Sequence, residues 1–284
     1  MTRVCVGVIP PIANNFVAGE DVPAVLDHAR DLHDGGVGAI INLLGEHYDD
    51  AANAAADAAV YTRLLEEFAD AGLDGRVSVK PSQLGLDVSE ETFRENLAEV
   101  VAVAAANDLF VWVDMEDHTT IDATLDAFEA NVTDYPEMGV CIQANMRRTS
   151  DDLRRLVDLP GTVRLVKGAY DPPTDLAYTE KARVNDAYRE NLAYLFEHAD
   201  YLAVGSHDLA MIDHAKELHE EFGTEFEVQM LMGVREDAQF DLASEGYDAY
   251  QYVPFGEKWL SYFYRRVRER KENALFALRA VVSG

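Results

Sequence analysis

Short, continuously apolar runs alternate with longer amphipathic stretches along almost the whole chain. Runs rich in β-branched and aromatic residues fall at 37–44, 75–80, 109–115, 138–143, 162–167, 200–205, 225–231 and 248–253. Unbroken apolarity, rather than strict alternation, is what strands covered on both faces require. Between these runs Ala, Leu, Glu and Arg recur at three- and four-residue spacing. Several of the stretches open on a capping residue, such as Ser89 before EETFRENLAEVVAVAAAN and Ser150 before DDLRRLVD. Eight strand–helix units in series predict an α/β fold, a single closed (β/α)8 TIM-like barrel occupying 1–284. Residues 20–35 predict an extra helix within an N-terminal arm spanning 1–35, and 257–282 predict the final helix.

Composition agrees with this architecture. A length of 284 residues suits one such barrel, which needs ~250. No apolar run approaches the ~20 residues of a membrane span, and the N-terminus lacks a signal-peptide layout. Cys5 and Cys141 stand far apart without a CxxC partner, which argues against a disulfide framework or a zinc site and fits a reducing cytoplasm.

Charge changes the picture more. Asp and Glu number 52 against 24 Lys and Arg, a net charge of −28, and only six of the cations are lysine. Such a charge disfavours nucleic acid and anionic lipid as partners over most of the surface. The acidic residues are dispersed among the helices rather than gathered in a tail, a pattern that resembles proteins of salt-adapted, halophilic organisms.

In a barrel of this kind, chemistry sits at the C-terminal ends of the strands. Those ends carry Glu46, Lys80, Asp114 with Glu116, Gln143, Lys167 with Tyr170, His207, Gln229 and Tyr252. Each alone reads as a polar side chain first meeting water. One from every strand, in step, predicts a shared site.

On the final helix Tyr262, Arg265, Arg266 and Glu269 fall at i, i+3, i+4 and i+7, placing Tyr262, Glu269 and one of the arginines on one stripe. An arginine pair one turn from a tyrosine suits a clamp for a small carboxylate. The competing assignment is a solvated basic patch, since RRVRERK carries five cations in seven residues. The division favoured here puts Arg268, Arg270 and Lys271 at the surface, with Arg265 and Arg266 turned to the rim.

These segments together resemble the proline dehydrogenase family, nearly end to end. FVAGE at 16–20 and NLLGE at 42–46 are similar to its opening. VKPSQLG at 79–85, VDMED at 113–117, CIQANMRRT at 141–149, RLVKGAY at 164–170, FEVQMLMG at 226–233 and YVPFGEKWLSYFYRRVRE at 252–269 follow in the family's order. The last block and RLVKGAY are the specific ones. The second, aldehyde-oxidising domain of the bifunctional relatives is absent from the sequence, so it resembles the monofunctional form.

The resemblance implies FAD-dependent oxidation of L-proline to 1-pyrroline-5-carboxylate, the first step of proline catabolism, with electrons passed to a quinone or another acceptor. It implies a cytoplasmic enzyme, at most peripheral to the inner face of the membrane. By the same resemblance Lys80, Arg265 and Arg266 bind the proline carboxylate, and Leu231, Tyr252 and Tyr262 wall the ring. Asp114 and Tyr170 close the site, and Glu46 pairs with an arginine as a gate. Gln143, Arg164, Val166, Lys167, Gly168, Ser206, His207, Gln229 and Glu269 hold FAD.

The sequence offers no dedicated base for the amine proton. It departs from the family at GSHD (205–208), where Ala-Thr-His-Asn or Ala-Thr-His-Asp is usual, and at QAN (143–145), which replaces Gln-Ala-Tyr. Pro81 and Gln83 also stiffen a segment that is usually looser. Two other classes fit the residues read alone. One is a lyase or aldolase with Lys80 or Lys167 as imine-forming amine; the other is a non-catalytic acidic binding protein.

Overall fold

The computed structural model describes residues 15–45, 47–73 and 75–260. Eight parallel strands close on themselves in chain order: β1 Gly38–Leu43, β2 Gly75–Val79, β3 Phe110–Val113, β4 Met138–Gln143, β5 Thr162–Val166, β6 Tyr201–Gly205, β7 Glu225–Leu231 and β8 Asp248–Phe255. The seam pairs Gly38–Leu43 of β1 with Tyr250–Phe255 of β8, residue for residue. Helix α1 (Val22–Asp34) precedes the barrel, and α2 (Ala51–Ala71), α3 (Glu90–Ala106), α4 (Ile121–Val132), α5 (Thr149–Leu156), α6 (Lys181–His198), α7 (Leu209–Phe222) and α8 (Glu236–Ser244) follow β1 to β7.

Every strand lies where the apolar runs predict it, with one instructive shift in a strand and one in a helix. β8 runs past residue 253 through Pro254, although proline gives no N–H to a ladder. It is tolerated because the edge of Pro254 that lacks the N–H lies past the end of β7, whose pairing stops at Leu231 opposite Tyr252, and on that edge the Pro254 carbonyl accepts from Ala18 N–H of the N-terminal arm at 2.9 Å. Helix α5 begins at Thr149, not after Ser150: the Thr149 hydroxyl donates to the Gln143 carbonyl at 2.5 Å and anchors the first turn to β4. Ser89 caps α3 as expected, its Oγ accepting from Thr92 N–H at 3.0 Å. The final helix predicted at 257–282 lies almost wholly outside the described residues.

Strand parity separates two cores. Ala39, Ile41, Val77, Val79, Val111 and Val113 face the helices and join the large outer core. Ile40, Trp112 and Ala203 face the barrel axis with Phe110, Tyr250 and Tyr252 against them. Barrel interiors are ordinarily filled by branched aliphatics. This one is largely polar: Asn42, Ser78, Arg164, Glu227 and Gln229 are all buried within the strands. Gly139 makes room for the Trp112 ring, which a Cβ there would meet at 2.2 Å.

Candidate active site

A cavity of about 950 Å³ opens at the C-terminal ends of the strands. Among the described residues it is lined by every rim group the sequence singles out: Lys80, Asp114, Glu116, Gln143, Lys167, Tyr170, His207, Gln229 and Tyr252. Arg164, Val166, Gly168, Ser206 and Leu231 line it as well. Glu46, Tyr262, Arg265, Arg266 and Glu269 lie outside the described residues.

Asp114 is the hub of the floor. Its Oδ2 accepts from the Tyr252 hydroxyl at 2.7 Å and from Lys80 Nζ at 3.2 Å; its Oδ1 accepts from Ser78 Oγ at 2.8 Å and from Arg164 Nη2. Burial alone would raise the Asp114 carboxyl. The facing Lys80 and Arg164 cations, with the bonds from Tyr252 and Ser78, outweigh it and bring the pKa down to about 2. Burial opposes the Lys80 charge too, yet attraction to Asp114 holds that ammonium above its ordinary value. Two cations around one carboxylate leave one positive charge over, in a place suited to an incoming anion.

Lys80 also donates to Asn42 Oδ1 at 3.1 Å, and from there hydrogen bonds run outward. Asn42 donates to the Tyr61 hydroxyl (3.2 Å), Tyr61 to Gln83 Oε1 (3.1 Å), and Gln83 to Asp57 Oδ2 (2.7 Å). Tyr48 donates to the same Asp57 oxygen at 2.7 Å, and its hydroxyl accepts from Lys258, which follows β8. The stiff KPSQLG segment thus has a use, since Gln83 ties the Lys80 turn to α2.

The opposite wall is built differently. Lys167 Nζ is held by Asp208 Oδ2 and Asn185 Oδ1, both at 2.7 Å. His207 Nε2 accepts from Leu231 N–H at 2.8 Å, which fixes the ring against β7. Ser206 Oγ accepts from Asp208 N–H at 3.1 Å, so the GSHD sequence keeps its hydroxyl inside the turn. Gly168 sits at φ 112°, and a Cβ there would meet Asn145 Oδ1 at 2.2 Å. That Asn145 oxygen, in the QAN segment, is buried with no hydrogen-bond partner among the described residues. Gln143 donates to the Glu116 carbonyl at 2.7 Å. Burial raises the Glu116 carboxyl, although Ser82 donates to it from both N–H and Oγ. The Tyr170 hydroxyl stands 3.5 Å from Glu116 Oε1.

Asn42, Trp112 and Glu227 are absent from the sequence-derived set. Asn42 carries a signal in the sequence as a polar letter inside an apolar strand, and Glu227 as one of the alternating polar letters of β7. Trp112, whose ring lies 4.9 Å beneath the Arg164 guanidinium, carries none and reads as ordinary core.

A family model described as "Proline dehydrogenase" matches residues 25–279. Proline dehydrogenase 1 of Bacillus subtilis (strain 168) is 33% identical over 273 residues, covering 95% of this chain and 90% of its own. The proline dehydrogenase of Deinococcus radiodurans is 34% identical over 281 residues, covering 96% and 91%. A solved structure of proline utilization A (PutA) from Bdellovibrio bacteriovorus, inactivated by N-propargylglycine, superposes with a TM-score of 0.82 at 24% identity. The match covers 90% of this chain and 32% of that one, so this chain spans about a third of it and the likeness is one of fold. No helix of the described residues is long and apolar enough to cross a membrane.

Proposed function

This chain belongs to the proline dehydrogenase family, and from that premise we propose that it oxidises L-proline to 1-pyrroline-5-carboxylate on bound FAD. The observation that carries this is the Lys80–Asp114–Arg164–Tyr252 cluster on the cavity floor. It supplies surplus positive charge beside an aromatic face, as a small ring bearing a carboxylate needs.

The cavity suits the cofactor as well. Its volume stands at the upper end of the ~300–1,000 Å³ usual for ligand sites. Its donors are amides, hydroxyls and cations, and Gly168 keeps a side chain out of the wall. Gln143, Arg164, Val166, Lys167, Gly168, Ser206, His207 and Gln229, with Glu269, would hold FAD. Bound FAD supplies the hydride acceptor.

The chain's own residues supply placement. Lys80, with Arg265 and Arg266, anchors the carboxylate through charge-assisted bonds. Tyr252, Leu231 and Tyr262 wall the ring so that the carbon beside the nitrogen, remote from the carboxylate, is presented in one orientation. Asp114 keeps Lys80 charged and fixed. Tyr170, reaching over to Glu116, closes one side, and Glu46 gates the other. A quinone is the acceptor we assign, reached by a cytoplasmic protein that at most touches the membrane surface. An imine-forming Lys80 is disfavoured by the same geometry, because that chemistry needs a neutral amine and Asp114 holds the ammonium charged.

Two measurements test the reading. The purified protein should be yellow and should bleach on anaerobic addition of proline; a folded, colourless preparation that takes up no FAD would overturn it. Lys80→Met should raise the KM for proline at least tenfold with flavin retained, since a bond to a charged group is worth about 1.5–3 kcal/mol. An unchanged KM would remove Lys80 from the carboxylate site.

A further inference from the structure

Beneath the cavity a column of polar side chains continues down the barrel axis, and its middle member is Glu227. This residue, on β7, is fully buried. Its Oε2 accepts from Arg76 Nη1 at 2.6 Å and from the Tyr201 hydroxyl at 2.9 Å; its Oε1 accepts from Gln229 Nε2 at 2.5 Å. Gln229 in turn offers Oε1 to Arg164 Nη1 at 3.0 Å. Arg76 is held from the other side as well. Its guanidinium donates to the Tyr250 hydroxyl at 2.6 Å and stacks 3.8 Å from that ring.

The direction of these bonds is forced. A carboxylate accepts and never donates, so the Gln229 amide must turn its NH₂ to Glu227. Its carbonyl oxygen is then the end that meets Arg164. Were Gln229 to present NH₂ upward, two donors would face each other in a buried place, and an unmet buried donor is costly. Arg164 is anchored by Gln229 on this side and by Asp114 with Ser78 on the other.

We propose that Glu227 is a positioning residue for the active site: by fixing the sense of the Gln229 amide it sets the place of the Arg164 guanidinium at the cavity floor. The proposal rests on the reading above, in which Arg164 works beside substrate and flavin. Glu227 touches neither. Its effect arrives through two hydrogen bonds, from a level of the barrel that also carries the Arg76 ion pair.

A merely structural role makes a different forecast, in which Glu227 serves only as counter-charge to Arg76. Two variants of the flavin-loaded enzyme separate the two. Glu227→Gln can donate as well as accept, so it frees the Gln229 amide to turn. The rate of anaerobic bleaching by proline should fall roughly tenfold to a hundredfold. KM should change much less, because Lys80 is untouched, and the flavin absorption bands should shift. In Arg76→Gln/Glu227→Gln the unpaired cation is gone, so the melting temperature should recover while the slow bleaching persists.

Recovery of the rate in the Arg76 double variant would overturn the proposal. So would a parental rate in Glu227→Gln. Failure of the parent itself to bleach would instead sink the functional reading on which the proposal rests.

Discussion

Asp114 shows how a single carboxylate is made indispensable. Four groups converge on it, two of them cations. Asp114→Asn would leave Lys80 and Arg164 buried together without the carboxylate they share. The expected loss is about 3–5 kcal/mol, measured by denaturant unfolding of the flavin-loaded protein. The pH dependence has a definite sign. Folded, the carboxyl titrates at about 2, below the ~3.9 of an unfolded chain. Its contribution is therefore fully present above that unfolded value and is lost as pH falls towards about 2. The stability gap between parent and Asp114→Asn should stay constant from neutral pH down to ~5 and narrow only below ~4. A gap already closing at pH 6 would mean that Asp114 is not held as described.

Among the elements, the strands are legible to within a residue or two because burial on both faces writes itself as unbroken apolar letters. The same property hides part of the site. When both faces are apolar, sequence does not say which parity points to the axis. Asn42 therefore stands as an isolated polar letter and Glu227 as one of an alternating set with Glu225 and Gln229, while Asp114 and Lys80 are conspicuous at strand ends. Once Asp114 is placed inside, Trp112 must follow, two residues earlier on the same strand, and Gly139 becomes its necessary neighbour on β4. Gly139→Ala sets a methyl 2.2 Å from that ring. Overpacking of this kind should cost about 1–3 kcal/mol in thermal or denaturant unfolding. Because Trp112 lies under Arg164, proline turnover should fall along with it. A variant as stable as the parent would show that the ring has room to move. The helix stripe of Tyr262, Glu269 and one of the arginines is read from spacing and from the family resemblance, and it lies outside the described residues.

For the molecule as a whole, the dominant fact is a net charge of −28. Many of the arginines that remain are engaged locally, as Arg148 is with Asp122 and Asp152, and Arg155 with Asp126. The uncompensated carboxylates repel one another over a Debye length of ~30 Å at 0.01 M salt but only ~3 Å at 1 M. Melting temperature and activity should both rise with KCl well past ~0.15 M, and screening should level off near ~1 M. A melting temperature that is flat or falls from low to multimolar KCl would make the acidic coat incidental and dispose of a salt-adapted origin.

The seam between β1 and β8 carries a consequence for how the chain reaches this state. Residues 38–43 are synthesised early and cannot meet residues 250–255 until almost everything between has been made. Until then β1 and β7 are open sheet edges, and the polar column has no closed wall around it. Long-range parallel pairing of this sort is slow to form and exposed to wrong partners. Closure thus waits until β8 has been made, and a nascent chain halted before residue 248 should present its own template for aggregation.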